Sequence, residues 1–366
     1  MASVREAHFE DHAGIAALEE RHGLFTTPEA DWRRRWQENP AISGAQEPWP
    51  IGWVIETEAK DIAGFFGNIP MAYEINGEPV LAAATNSWVV DEDFRGQALE
   101  LLSRFLAQPN VDIFLSTTAN AATTAAMTAF KTRKVPQPDC DKSLFWITNP
   151  FGFGRALTVK AGFPLAGIFG PITGLGVVLA NAFHGGRPSE TPPEGCRLAT
   201  TNSFDDRFDG LWQRIRGQTG KLRFVRDREN ISWHFNRFLT NGQAWVVTCE
   251  KGGSLNGYAV FVRQDNAAIG LRRAILADYQ ADGDDADVLR SLLLAGLGEC
   301  RERDLYMLEA PGFSPTKRDL LNQLKPWTRK LPIWPYLYKA RNAGLAKRLE
   351  DPACWDACPI DGDASL

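Results

Sequence analysis

The stretch Ser87-Trp88-Val89-Val90-Asp91-Glu92-Asp93-Phe94-Arg95-Gly96-Gln97-Ala98-Leu99 sets a strand, a tight turn and a helix start in immediate succession. Such a junction accumulates backbone N–H groups without intrahelical partners and puts the positive end of a helix dipole beside them, so phosphate can be held by main chain alone. Gly96 and Ala98 are small enough for a ligand to come close to that backbone.

Upstream, Val4 to Arg21 reads as a short strand and then a helix, with Ile15, Leu18 and Leu24 on one face. Ile51–Glu56, Ile62–Ile69 and Met71–Ile75 resemble a meander, and Asn76-Gly77 is a hairpin turn signal leading into Pro79–Ala84. A long strand, Ala83–Val90, enters the quoted junction, and the apolar period from Leu99 to Leu106 is helical. Val111–Ser116 reads as a buried strand and Ala121–Phe130 as a helix.

The same order returns later in the chain. Phe204–Arg216 is helical, and Ala244–Cys249 and Tyr258–Val262 are strands joined through Gly252-Gly253 and Asn256-Gly257. Ile269–Tyr279 is a long strand, Asp287–Glu302 an amphipathic helix, Leu305–Glu309 a strand, Pro315–Leu324 a helix and Trp334–Tyr338 the closing strand. Between the copies, Gly185 to Gly195 (GGRPSETPPEG) has linker composition. The expected division is 1–150, a connector and linker over 151–194, and 195–366. The fold class is α+β: two copies, each a mixed central sheet flanked by helices.

Of 366 residues, 44% are hydrophobic and 23% charged, ordinary globular composition. Forty Lys plus Arg against 45 Asp plus Glu gives −5, which offers no broad track for a nucleic-acid backbone, so no nucleic-acid partner is expected. Six cysteines are too sparse for a disulfide framework and read as reduced thiols, and no apolar signal core opens the chain; both point to the cytoplasm. His8 and His12 could share a helix face, but no third ligand follows at useful spacing, and no metal is expected. The uncharged run Leu165–Phe183 approaches the length of a membrane span, yet Pro171 and its glycines favour a packed inter-domain segment; peripheral attachment stays open.

The quoted segment and the element order around it resemble the GNAT superfamily of acyl-CoA-dependent N-acyltransferases, in particular its tandem members. Val90 fills the place of the valine closing the fourth strand, Arg95 the Arg/Gln place, Ala98 the first glycine place and Glu100 the second. Asn120 stands where the family contacts the pantetheine arm. The resemblance implies two tandem GNAT-like domains. It also implies direct transfer from acetyl-CoA or another acyl-CoA to an amine or hydroxyl of a small-molecule or sugar-like acceptor. Val90, Arg95, Gly96, Gln97, Ala98, Leu99 and Asn120 would hold the donor, with the amide near Val90 stabilising the oxyanion.

Glu100 would bring a like charge toward the diphosphate. The helix tyrosine that many members use to protonate the leaving thiolate is absent, with Met127 or Phe130 at that place. Asn86 and Ser87 are the candidates for orienting the acceptor. Trp88, His234 and the aromatics of Trp334-Pro335-Tyr336 are candidates for an acceptor cleft, His234 being able to exchange a proton near neutral pH. Asp278 to Asp284 replaces the phosphate loop of the second copy with acidic residues, so that copy is not expected to bind CoA. The tail Asp361-Gly362-Asp363 is similar to that of some tandem members; the alternative from composition is a disordered, solvated acidic end. Two other readings keep the fold: a Fem-type transferase using charged tRNA, and a non-catalytic scaffold.

Overall fold

The computed structural model describes residues 2–45, 47–139, 141–162, 166–184, 195–217, 220–331 and 336–362. The linker over 185–194, Leu165, Trp334, Pro335 and Asp363 lie outside the described residues.

The chain opens with β1 (Ser3–Glu6), α1 (His12–Arg21) and α2 (Glu29–Gln37), then β2 (Gly52–Glu56), β3 (Ile62–Ile75) and β4 (Glu78–Val90). Ile15 and Leu18 are buried under α1, while Leu24 lies beyond its end and is exposed. Asn76 and Gly77, with φ of 55° and 78°, make the tight turn between β3 and β4; the left-handed backbone there suits these two residue types. A 3-10 turn leads into α3 (Ala98–Leu106), which buries Leu101, Leu102 and Phe105. β5 (Ile113–Ser116), α4 (Ala121–Ala129), β6 (Arg133–Lys134) and β7 (Lys142–Ile147) follow. Next come α5 (Pro150–Lys160) and α6 (Ala166–His184), two helices in close contact. A Cβ at Gly154 would meet the Gly174 nitrogen at 2.6 Å.

The later part holds β8 (Cys196–Thr201), α7 (Asp206–Arg216), β9 (Leu222–Phe224), α8 (Arg228–Thr240), β10 (Ala244–Lys251), β11 (Ser254–Arg263) and β12 (Arg273–Ala281). It ends with α9 (Ala286–Glu302), β13 (Met307–Pro311), α10 (Pro315–Asn322), β14 (Trp327–Lys330), β15 (Leu337–Ala340) and α11 (Ala343–Arg348).

Two mixed sheets result. The first runs β1-β2-β3-β4-β5-β15-β6, with β9 on the far end of β3; the second, read from the other side, runs β8-β10-β11-β12-β13-β7-β14. In each, the pair after the fourth strand is parallel, β4 with β5 and β12 with β13. Both fourth strands also carry a bulge at the same place: the register skips Ser87 between Asn86 and Trp88, and Ala277 between Leu276 and Asp278. The two copies expected from the repeated order are therefore present, each a GNAT-like sheet flanked by helices.

Three expectations change. The copies trade their sixth strands: β7, from the first part, joins the second sheet between β13 and β14, and β15, from the end, joins the first between β5 and β6. The strand expected to close the second copy thus closes the first. Ile62–Ile69 and Met71–Ile75 are one strand, because Pro70 falls where β3 has β4 on one side and neither β2 nor β9 on the other, so its missing N–H breaks no ladder. The run through α6 forms a helix despite Pro171, but its outer face is exposed rather than packed between domains. Among the described residues, no helix is long and apolar enough to cross a membrane.

The strand exchange predicts that the first copy cannot stand alone. A fragment of residues 1–150 leaves the β5 edge without β15 and β7 without a sheet, and is expected to be unfolded or aggregated. The full chain should melt in one cooperative transition by calorimetry and circular dichroism. A folded fragment, or two separate transitions, counts against a shared structure.

Candidate functional site

β4 pairs with β5 over Ala82–Ala84 and Ile113–Leu115 alone, with a last tie from the Thr85 hydroxyl to that of Ser116 at 3.0 Å. From there to Val90 the two strands part, and β4 presents backbone without a ladder partner on that side. The bulge causes the divergence: Ser87 takes a left-handed backbone, φ 47°, which turns the end of β4 away from β5. The strand ends at Val90. Asp91 then receives two bonds from the Arg21 guanidinium, one at 2.9 Å, so the end of α1 clamps the turn.

Beyond it, Ala98 and Leu99 begin α3. The space a Cβ would occupy on Gly96 is open, and Leu99 is exposed. Arg95 pairs with Glu92 at 3.1 Å on the surface, and Gln97 donates to the Ala2 carbonyl. Glu100 is paired with Arg104 at 3.2 Å, which offsets the like charge it would bring to a diphosphate. Asn120 caps α4, accepting from the Thr123 amide at 2.9 Å. The space above Gly96 is thus open, while the Ala98 amide donates back to the Arg95 carbonyl and the side chains of Arg95, Gln97 and Asn120 are engaged locally.

On the α1–α2 face of β4 lies a buried polar cluster. Arg35 donates to Asn86 Oδ1 at 3.0 Å and to the Thr27 hydroxyl at 2.9 Å. Glu19 is buried beside Ser87, Arg35 and His12, and burial raises its carboxyl against their pull. This cluster fixes the bulge.

The second feature is a cavity of about 450 Å³ between the two sheets. It starts at Thr117 and Thr118, where β5 ends, and runs past Phe25 and Phe238 to Ile275 and Ala277 of β12 and to Phe313 beyond β13. The tail forms one wall: Cys358, Pro359 and Asp361 line it. The tail is therefore not a solvated acidic end, because Trp355, Asp356, Ile360 and Asp361 are all buried. Gly362, at φ 72°, lies so close to Thr117 that a Cβ would collide with its hydroxyl.

Asp361 accepts from the Tyr73 hydroxyl at 2.7 Å and from the Cys358 amide at 2.8 Å. Burial outweighs these bonds and Arg226, pushing its carboxyl up to about 6. Asp356 goes the other way: burial alone would raise it, but Lys317 at 3.0 Å, with Arg226 and Arg223, holds it below the usual carboxylate range. Asp278 behaves likewise, with Arg226 at 3.0 Å and the Tyr258 hydroxyl donating at 2.6 Å.

Several expected site residues are not brought to this cavity. Asn86 and Ser87 belong to the cluster with Arg35 and Glu19 and do not line it. Trp88 points to the α3 side, packed on Phe66 with ring centroids 5.1 Å apart. His234 is fully buried in α8 among Phe224, Trp233 and Phe235, because its neighbours in the sequence are the apolar face of that helix. Tyr336 does line the cavity. Asp361, Glu19 and Arg35 were missed as functional groups. The apolar residues of Trp355-Asp356-Ala357-Cys358-Pro359-Ile360 were the signal that this tail is packed rather than solvated.

No protein-family model and no curated protein sequence matches the chain. Solved structures do. A GCN5-related N-acetyltransferase from Anabaena variabilis ATCC 29413 is similar at TM-score 0.57 and 13% identity, over 93% of this chain and 73% of that one. One from Kribbella flavida gives 0.58 and 12%, over 93% and 71%. An N-myristoyltransferase from Saccharomyces cerevisiae, solved with bound myristoyl-CoA, gives 0.53 and 14%, over 93% and 79%. The chain shares the fold of the GNAT superfamily across nearly its whole length.

The raised Asp361 carboxyl sets a pH dependence of stability. Its folded value of about 6 lies above the ordinary 3.8, so its contribution is fully present below about pH 3.8 and is lost as pH rises through about 6. A shift of about two units amounts to about 3 kcal/mol. Urea midpoints of the parent and Asp361→Asn between pH 4 and 8 are expected to diverge, with the variant gaining on the parent as pH rises. Parallel profiles would show that the carboxyl titrates normally.

Proposed function

We propose that the protein is an acyl-CoA-dependent acyltransferase, with the donor held in the opening between β4 and β5 and the acceptor in the inter-sheet cavity. The observation that carries this reading is Asp361, a buried carboxyl whose protonation changes at about 6, set in the cavity wall beside the end of β5. A group poised just below neutral pH is suited to accept a proton from an attacking nucleophile.

The donor site fits acyl-CoA on two counts. The space above Gly96 is open, and β4 from Thr85 to Val90 is unpaired on its β5 side, where a pantetheine arm can lie as an added strand. The thioester would then reach the mouth of the cavity at Thr117. The acceptor amine or hydroxyl attacks the carbonyl carbon, Asp361 takes its proton, and a β4 amide near Val90 steadies the developing oxyanion. The bond to the acceptor forms as the carbon–sulfur bond breaks, and CoA leaves as the thiolate or thiol. The cavity volume suits a small-molecule acceptor with an apolar body, given Phe25, Phe238 and Phe313 in its walls.

The test separates donor binding from chemistry. Isothermal titration with acetyl-CoA and longer acyl-CoAs is expected to give binding by the parent and none by Gly96→Trp, with circular dichroism unchanged. In a thiol-release assay with a panel of small amines and alcohols, Asp361→Asn should bind acyl-CoA as the parent does yet turn over about 10²-fold or more slowly. The parent's kcat/KM should rise with pH up to about 6 and then level. If neither parent nor variant binds any acyl-CoA, the donor assignment fails. If Asp361→Asn retains parental turnover, the base assignment fails.

A further inference from the structure

The α5–α6 hairpin has its polarity inside out. On α6, Ile172, Leu175, Leu179 and Phe183 are exposed, Phe183 to 90% and Ile172 to 66%. Their spacing puts them on one stripe of the helix. The polar side chains of α6 turn inward: the Thr173 hydroxyl lies 3.1 Å from that of Thr158, and Asn181 accepts from the Trp327 indole at 2.8 Å. On α5, Phe151, Leu157 and Val159 add to the exposed apolar surface. A helix on a water-facing surface shows the opposite arrangement, and this patch contains most of the large exposed apolar side chains among the described residues.

Charge says what covers it. The chain has 45 acidic residues, yet residues 150–184 contain none, and the fixed charges there are Arg155 and Lys160, both exposed on α5. Arg301 and Lys325 line the groove beneath α6 together with Phe151 and His184. An apolar surface whose own two helices carry cations and no acid complements an anionic lipid headgroup layer above hydrocarbon. A second copy meeting hairpin to hairpin would set Arg155 and Lys160 against their own kind with no acid between them. Among the described residues, no helix is long and apolar enough to cross a bilayer.

We infer that the α5–α6 hairpin docks the protein on an anionic lipid surface, with α6 lying in the interface plane and Ile172, Leu175, Leu179 and Phe183 entering the acyl boundary. The inference is independent of the catalytic reading, since the hairpin shares no residue with the donor site or the inter-sheet cavity.

Flotation of the full chain with vesicles of phosphatidylcholine alone, and of phosphatidylcholine mixed with phosphatidylglycerol, tests it. The parent is expected to float with the mixed vesicles and about tenfold or more weakly with the neutral ones, the difference two to four cations make near a charged surface. Leu175→Glu/Leu179→Glu should stay in the dense fraction with both, and Arg155→Glu/Lys160→Glu should lose the preference for anionic vesicles. Both pairs are exposed and leave the core untouched; Phe183→Glu serves as a further single variant, with unchanged melting as the control for folding. Failure of the parent to float, or equal flotation by parent and variants, overturns the proposal. A dimer in sedimentation velocity that Leu175→Glu abolishes would overturn it in favour of a contact between copies.

Discussion

Arg226 must be neutralised where it stands. Its guanidinium is almost wholly buried, and an uncompensated charge in such an interior costs roughly several kcal/mol. Asp278 of β12 neutralises it at 3.0 Å, and the Cys358 thiol of the tail, kept neutral by burial, accepts from one of its nitrogens at 2.9 Å. Lys317 and Asp356 repeat the arrangement alongside, at 3.0 Å. Removing Asp278 or Asp356 leaves a buried cation without its paired carboxylate, so these groups fix one another's positions. The tail is held in a single place by this mutual need, and the wall of the inter-sheet cavity is the result.

The same tail depends on the exchange of strands. β15 sits in the first sheet, and the chain that follows it must return across both copies to reach Arg226. On the way Trp355 packs on Tyr338, with ring centroids 4.9 Å apart, and its indole donates to the Leu349 carbonyl. Tyr73, from β3 of the first copy, then donates to Asp361. One copy thus supplies the cation and the other the phenol, and the proposed acceptor site exists because neither copy is complete without the other's strand.

What could be read beforehand follows the range of the interactions. The Asn76-Gly77 turn, the end of β4 at Val90 and the repeated order of elements are local, set by a few neighbouring residues, and the sequence patterns reported them. The exchange was not legible, because Lys142–Ile147 is a short, mostly apolar strand whose pattern does not say which sheet it joins. Pro70 suggested a break for a sound local reason that the gap between β2 and β9 removes. His234 was attractive as a titratable group among aromatics, but the apolar face of α8 takes it into the core. Asp361 looked solvated because its partners, Tyr73 and Arg226, are distant in the chain; burial, the cause of its raised carboxyl, is a property of the assembled molecule.

The two bulges explain why one opening is available and its counterpart is not. Ser87 and Ala277 stand at equivalent places, and each parts its fourth strand from the parallel neighbour. In the second sheet the residues past the bulge are Asp278 and Gln280, and the space beside them is taken by Arg226, Asp356 and Lys317. In the first sheet the residues past the bulge are Trp88 and Val90, neither of which draws an ion into the gap. An acidic fourth strand therefore seals its own cleft by recruiting cations and then the tail, whereas an apolar one leaves its backbone amides for a ligand. The opening of the second sheet thus anchors the segment that carries Asp361 to the cavity wall beside the end of β5.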